Sequence, residues 1–461
     1  MNTHMKNSNV SIQFLGATQT VTGSKHLLKT PELNILVDCG LFQGIKSLRL
    51  KNREDLPVNV KEIDVVIITH AHLDHCGYIP VLVKNGFKGQ FLMTPPTRDL
   101  VEIILRDSAK IQEEDARKAT DEGYTKHTPA KPLYTEDDVE KALNQFEIRH
   151  DEIWVHLSEN ISFQFLKNGH ILGSAFIEMK CFGKKIVFSG DIGRKNSDLL
   201  APPTIIEDAD YLIMESTYGD RLHPENNPID DLEETILSTI EKGGNLVIPS
   251  FAVGRAQEIM YLVNQLKEQK RIPNIPVYLD SPMGADATEI FLNHPNWHKL
   301  SSQETYLVSK HITIIRDFHD TFKVLKTKES KIIIAASGML TGGRVLTYLK
   351  EYGPLHDNTI LLVGYQGEGT RGRALKEGLK EVKLHGKYVD IFAERKNIDS
   401  MSGHADQKEM LDWIKAFRKN PKKIFLVHGE PQAQDVFRVK IQDEIGLEVI
   451  IPELNQEFIL D

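Results

Sequence analysis

Ile67-Ile68-Thr69-His70-Ala71-His72-Leu73-Asp74-His75-Cys76-Gly77 sets four metal-capable side chains within six residues, directly after a short apolar run. Residues 65–68 are apolar and β-branched, so they read as a buried strand that ends where the polar cluster begins. Side chains two apart in extended chain point the same way, which lets His70 and His72 aim both imidazoles at one point. If the chain turns into a helix at once, Asp74 and His75 face a second position beside the first, and Gly77 permits the close turn. Nitrogen and carboxylate donors without thiolates suit zinc or a similar divalent ion. A histidine-rich surface loop would not need an apolar strand feeding it.

The chain has 461 residues, enough for two or three domains with their own cores. No run approaches the roughly 18 apolar residues of a membrane span, and the polar stretch 1–9 has no signal-peptide apolar region. A cytoplasmic location and no membrane partner are therefore expected. The three cysteines, Cys39, Cys76 and Cys181, have no CxxC spacing, which argues against disulfides and against a thiolate metal site. Cys76 reads as a small packed residue. A net charge of −9 leaves no global basic footprint, so any attraction to nucleic acid must be local.

Strands are expected over 10–15, 33–37, 64–69 and 90–93. Asp38 closes the second of them, where it could orient a metal-bound histidine, and where a turn-forming Asp before Gly accounts for it equally. Residues 97–145 turn helical and charged, as an insertion covering the sheet, with an N-cap at Thr135. Strands resume at 161–166, followed by Asn168-Gly169-His170, and again at 175–179 and 185–189, ending in Gly190-Asp191. His170 and Asp191 repeat the placement of the first cluster at strand ends. Together they supply a third nitrogen for one metal and a carboxylate able to bridge two.

After the strand 211–214 and Glu215-Ser216-Thr217-Tyr218-Gly219, strands and helices alternate to about Leu379, implying a parallel sheet with helices on both sides. The loops at its strand ends carry Ser250, Arg255, Ser337, Gly338, Arg344, Arg371 and Arg373. Backbone N–H groups at helix starts and guanidinium forks suit a phosphate backbone, although ordinary turn glycine explains any one loop alone. A strand at 388–392 then precedes Ser402-Gly403-His404-Ala405-Asp406, in which Asp406 and Glu409 resemble a capping box. The final apolar strand 423–427 ends in His428-Gly429-Glu430.

The order His70, His72, Asp74, His75, His170, Asp191 and, more than two hundred residues later, His428 resembles the metallo-β-lactamase fold. The α/β segment between the last two resembles the insertion of the β-CASP branch, whose members process nucleic acids. Glu215 matches that branch's motif A acid, His404 its motif B and His428 its motif C, where histidine is the pattern of the RNA-acting members. The nearest likeness is to prokaryotic relatives of the endonuclease subunit of the mRNA 3′-end cleavage machinery. The implied architecture is an αββα sandwich with an inserted α/β domain, divided into 1–214, 215–385 and 386–461.

The resemblance implies a zinc-dependent ribonuclease, endonucleolytic or 5′–3′ exonucleolytic, acting on single-stranded RNA, with two Zn²⁺ per chain. His70, His72 and His170 would hold one ion and Asp74, His75 and His428 the other, with Asp191 bridging and Asp74 also counted among the catalytic residues. A water shared by the ions, its pKa lowered to about 7, would attack phosphorus in line. His404 would protonate the leaving 3′ oxygen, with Glu215 orienting it and keeping it protonated. Two rivals are a small-molecule metallohydrolase of the same fold and a non-catalytic RNA-binding subunit. Self-association as a homodimer is left open.

Overall fold

The computed structural model describes residues 9–123, 129–384 and 386–461. Residues 1–8 of the polar N-terminal stretch and 124–128 of the helical segment lie outside the described residues. Two compact units divide the chain. The first takes in Met1–Ser197, Ala201–Leu222 and His404–Asp461, and the second Asp198–Leu200 with His223–Gly403.

Two seven-stranded sheets form the first unit. One runs Glu457–Ile459, Ser11–Phe14, His26–Lys29, Asn34–Val37, Val65–Ile67, Gln90–Met93 and Phe146–Ile148. The other runs Val449–Ile450, Lys423–Val427, Tyr211–Glu215, Lys184–Phe188, Ala175–Cys181, Ile161–Lys167 and Val155–His156. Alternation decides what lies between them: Phe14, Val37 and Ile67 from one sheet meet Phe163, Ile177, Phe188, Ile213, Phe425 and Val427 from the other in a single buried cluster. Each such side chain contributes roughly 1.5–3 kcal/mol by leaving water. Because the central strands are buried on both faces, the intervening residues are apolar too. Leu212, Met214, Ile424 and Leu426 point the other way, into a second cluster with Trp413, Ile414, Phe437 and Ile441 of the helices Gln407–Lys415 and Pro431–Ile445.

Residues 97–145 hold the helix Pro95–Asp121, which buries Leu100, Val101, Ile104 and Leu105 along one stripe, and the helix Glu136–Leu143. Thr135 and Asp138 close a capping box on the latter. Asp406 and Glu409 do the same for Gln407–Lys415.

In the second unit six strands form a parallel sheet ordered Thr313–Ile315, Val277–Asp280, Ile332–Ala335, Leu246–Pro249, Thr359–Val363 and Glu394–Ile398. The helix Arg255–Glu268 buries Ile259, Leu262, Val263 and Leu266, the stripe expected from spacing. The strand expected at 388–392 is instead Lys387–Asp390, one arm of an antiparallel hairpin with Glu381–Leu384. The next strand, Glu394–Ile398, joins the edge of the parallel sheet through Thr359–Val363. Among the described residues no helix is long and apolar enough to cross a membrane.

Candidate metal centre

Strand Val65–Ile67 delivers the first cluster, and a four-residue helix, Leu73–Cys76, begins directly after His72. His72 is the N-cap of that helix, yet its side chain makes no capping bond, so the imidazole is turned to other use. The turn is held from behind by Gly40, where a Cβ would come within 1.6 Å of the Asp74 carbonyl oxygen. Gly77 has ordinary right-handed backbone rather than a turn conformation. It is small because a Cβ would meet the Leu73 carbonyl at 2.5 Å. Cys76 is fully buried, its thiol donating to the Ala71 carbonyl at 3.1 Å.

His170 sits on a loop that Ser174 builds, its Oγ accepting from the N–H groups of His170 and Ile171 at 3.1 and 3.0 Å. Asp191 follows Gly190, which has positive φ and packs on Thr69. His428 ends the strand Lys423–Val427 with φ of 49°, a left-handed conformation that costs energy for a side chain and aims its ring inward. Asp38, at φ 60°, is strained in the same way.

Three ring nitrogens converge. His72 Nδ1 lies 3.1 Å from His70 Nε2 and 3.2 Å from His170 Nε2. Asp191 Oδ2 stands 3.4 and 3.5 Å from the nitrogens of His70 and His170. Four donors about 2.0–2.1 Å from a tetrahedral zinc would be separated by roughly 3.3–3.4 Å, so this set has the dimensions of a site. The other oxygen of Asp191 faces a second set: Oδ1 is 3.3 Å from His75 Nε2, and Asp74 Oδ2 is 3.3 Å from His428 Nε2. Ligand atoms of Asp74, His75 and His428 all lie within 4.8 Å of one another. Asp191 thus offers one oxygen to each cluster.

The donors fit a cation by a second criterion. His75 Nε2 and Asp191 Oδ1 are buried and without hydrogen-bond partners, an expensive state for both unless an ion takes them up. Burial pushes His70 down to about 3 and His72 to about 4, leaving neutral rings with lone pairs to give. Burial would raise the Asp191 carboxyl, but His428, His75 and His70 hold it well below the usual range. Burial also opposes charge on His75, and there the carboxylates of Asp191 and Asp38 prevail, raising it well above an ordinary imidazole. Positive charge is favoured at that point.

Behind the rings is a layer of acceptors. Asp38 Oδ2 takes His75 Nδ1 at 2.7 Å, while its Oδ1 accepts from the backbone N–H of Thr69 at 2.8 Å. Thr69 Oγ1 lies 3.1 Å from His70 Nδ1, and Thr217 Oγ1 lies 3.1 Å from His428 Nδ1. In His70 and His75 Nδ1 faces protein and Nε2 the cluster, whereas His428 turns Nε2 to Asp74 and has Nδ1 3.4 Å from Asp191 Oδ1 as well as beside Thr217. Thr69 and Thr217 are absent from the expected site, although each stands one or two residues from an acid or histidine at a strand tip.

Glu215 is fully buried at the end of Tyr211–Glu215. Both its oxygens lie 3.1 Å from His404 Nδ1, and it accepts from the N–H groups of Ile192 and Thr217. Burial would lower His404, yet Glu215 outweighs it and pushes the imidazole up to about 9. His404 lies beside His170, ring centres 4.5 Å apart.

In the second unit the remaining candidates all occupy loops after parallel strands or the helices that follow. Each is engaged. Ser250 Oγ donates to the Phe251 carbonyl, and Arg255 pairs with Glu258. Ser337 Oγ accepts from the N–H groups of Thr341 and Gly342, and Gly338 packs on Phe251. Arg344 pairs with buried Asp280 at 2.6 Å, Arg373 pairs with Glu377, and Arg371 donates to three carbonyls.

Three family models match: the metallo-beta-lactamase superfamily over 23–242, the Beta-Casp domain over 256–375, and the Zn-dependent metallo-hydrolase RNA specificity domain over 388–452. The chain is 33% identical to ribonuclease TTHA0252 of Thermus thermophilus over 424 residues, 90% of this chain and 92% of that protein. It is 34% identical over 451 residues to an RNase J-like protein of Methanocaldococcus jannaschii, covering 96% and 98% of the two. Transcription termination factor FttA of the same organism is 32% identical over 440 residues, 91% of this chain and 67% of that one. A crystal structure of a protein of unknown function from Enterococcus faecalis shares the fold at a TM-score of 0.55 and 13% identity, covering 98% of this chain and 100% of that one. With relatives aligned along nine-tenths of its length and a parallel α/β segment lodged between Asp191 and His428, this chain belongs to the β-CASP branch of the metallo-β-lactamase superfamily.

Proposed function

We propose that the chain is a zinc-dependent ribonuclease that hydrolyses phosphodiester bonds of single-stranded RNA in RNA processing or decay. One observation carries the reading: two ligand sets, His70–His72–His170 and Asp74–His75–His428, share Asp191, one oxygen to each. The RNA specificity model over 388–452 and a relative named as a ribonuclease support RNA as the substrate. Two divalent ions held by these sets would supply Lewis acidity at phosphoryl oxygens and a water acidic enough to react near neutral pH.

The chain's own residues do the rest. Thr69, Asp38 and Thr217 fix the orientation of His70, His75 and His428 through Nδ1, so that Nε2 of each is presented without rearrangement. Glu215 binds His404 Nδ1 and keeps the ring protonated, which leaves the proton on Nε2 for transfer to the leaving 3′ oxygen. In this reading His404 acts as the acid and is not a ligand.

Cleavage of a 5′-labelled single-stranded RNA by zinc-loaded protein, beside a matched DNA and His404→Ala, tests it. Internal fragments from RNA alone are the endonucleolytic outcome, and labelled mononucleotide the 5′ exonucleolytic one. His404→Ala is expected to lose cleavage while retaining both zinc ions by elemental analysis. Loss of a zinc ion in that variant would make His404 a ligand and refute its role.

A further inference from the structure

Ser24 and His26 stand behind the metal centre, and no step described above uses them. Ser24 is fixed by its backbone: its N–H donates to the Asp74 carbonyl at 2.8 Å, and its own carbonyl accepts from the N–H of Gly40 at 2.9 Å. Its hydroxyl lies 3.5 Å from Asp38 Oδ2 and 3.2 Å from His26 Nε2. Asp38 is the carboxylate on which both ligand sets lean, since it holds His75 directly and His70 through Thr69 Oγ1. His26 opens the strand His26–Lys29, is 3% exposed, and packs its ring at a steep angle on Phe14, centres 5.5 Å apart.

These hydrogen bonds have a direction. An ionised carboxylate only accepts, so the single hydroxyl proton of Ser24 goes to Asp38, and His26 must then donate to Ser24 through Nε2–H. That leaves Nδ1 as an acceptor. Burial above all lowers His26 to about 3, so the ring is neutral and has the lone pair this tautomer requires. Nδ1 is buried and has no partner in the protein among the described residues, a costly state for a polar atom inside a sheet. The cavity that His26 lines is bordered also by Ser24, Asp38, Thr69, His75 and Ser189, with about 10 Å³ open to the centre of a water molecule, which is room for about one. Polar groups on several sides distinguish it from the dry voids of an apolar core.

We propose that this cavity holds one structural water that donates to His26 Nδ1, and that His26 and Ser24 are positioning residues of the metal centre, locking Asp38 behind the ligand histidines. The proposal rests on the zinc part of the reading above. A crystal structure of the zinc-loaded full-length protein should show one ordered water within about 3.2 Å of Nδ1. Nitrogen-15 spectra near neutral pH, with His26 assigned by its loss in His26→Phe, should show the proton on Nε2 and none on Nδ1. His26→Phe keeps the packing on Phe14 and removes both nitrogens. The metal-free variant should therefore melt no lower than wild type, while its zinc affinity, read by chelator competition, falls about ten-fold. Ser24→Ala, which loses only a hydroxyl and reads the same link should His26→Phe not fold, should fall as far. The double variant should fall no further, because the two residues act as one chain. His26→Gln, whose amide nitrogen is as many bonds from Cα as Nε2, should recover the affinity. No water at Nδ1, or a proton found on it, overturns the water site. Wild-type zinc affinity in either single variant overturns the positioning role, as does His26→Gln binding zinc as weakly as His26→Phe. Wild-type protein that takes up no zinc overturns the reading on which the proposal rests, whatever lies at Nδ1.

Discussion

Asp38 and Thr217 act on the centre without reaching it, and their weight can be measured without disturbing the fold. Asparagine tolerates the left-handed backbone of Asp38, and valine matches the shape of Thr217, so Asp38→Asn removes the carboxylate charge that faces His75 and Thr69, and Thr217→Val the hydroxyl that meets His428 at Nδ1 and at its carbonyl. Each is expected to weaken zinc affinity or activity about 10–100-fold while melting near wild type. Competition with a zinc chelator reads the affinity. Wild-type affinity in both would make these contacts ornamental. Lys25 poses a different question, because it is buried with one hydrogen bond, to the Gly23 carbonyl, and lies over Phe42 and Tyr78. Burial lowers it to about 8. The unfolded chain then binds more protons than the folded one between about pH 8 and 10.5, so this group's contribution to stability rises with pH across that window. The stability difference between Lys25→Met and wild type, followed by urea denaturation, should favour the variant most below pH 8 and shrink as pH climbs to 10.5. A difference flat in pH would mean that Lys25 titrates normally.

At the level of elements, the loop after Ile332–Ala335 shows how a residue read for one task is held by another. Arg344 lies at a strand end in a glycine-rich loop, which is what phosphate recognition needs, and yet its guanidinium pairs with Asp280 and donates to the carbonyls of Ile315 and Arg316. Asp280 is fully buried and also accepts from Thr321 and Tyr348. Arg344→Ala would leave that carboxylate without its charge partner, at a cost of roughly 3–5 kcal/mol. The expected result is a lowered denaturation midpoint with RNA affinity retained where the variant remains folded. RNA affinity lost at unchanged stability would return Arg344 to the substrate. The side chain's partner could not be read from the sequence, since Asp280 is 64 residues away and looks like a turn residue after Leu279. Strands show the same limit: those buried on both faces, such as Val65–Ile67 and Lys423–Val427, announce themselves by apolar runs. Glu394–Ile398, which reads Glu-Arg-Lys-Asn-Ile, does not, because at a sheet edge its pairing is backbone and, of its side chains, Ile398 alone is buried.

Across the whole molecule, the seven donors converge although 358 positions separate His70 from His428, and all belong to the first unit. They were legible because each stands at the end of a strand, where a chemistry-bearing residue contrasts with the apolar run before it. The threonines behind them were not, since a hydroxyl at a strand tip is ordinary in any loop. This concentration of ligands has a thermodynamic consequence. Ions that bind only the folded first unit stabilise that unit and leave the second untouched, by about 4 kcal/mol at a thousand-fold excess over Kd. For a unit of this size each kcal/mol moves Tm by about 2–4 °C. Calorimetry of the full chain before and after chelation should therefore show one transition falling by roughly 10 °C or so while another remains in place. Tryptophan emission can assign them, because Trp154 and Trp413 belong to the first unit and Trp297 to the second. Substituting both Trp154 and Trp413 by Phe should remove the optical signal of the falling transition, and Trp297→Phe that of the stationary one. A single transition shifting as one would mean that the two units unfold together, and no shift at all would mean that the centre holds no ion strongly enough to matter for the fold.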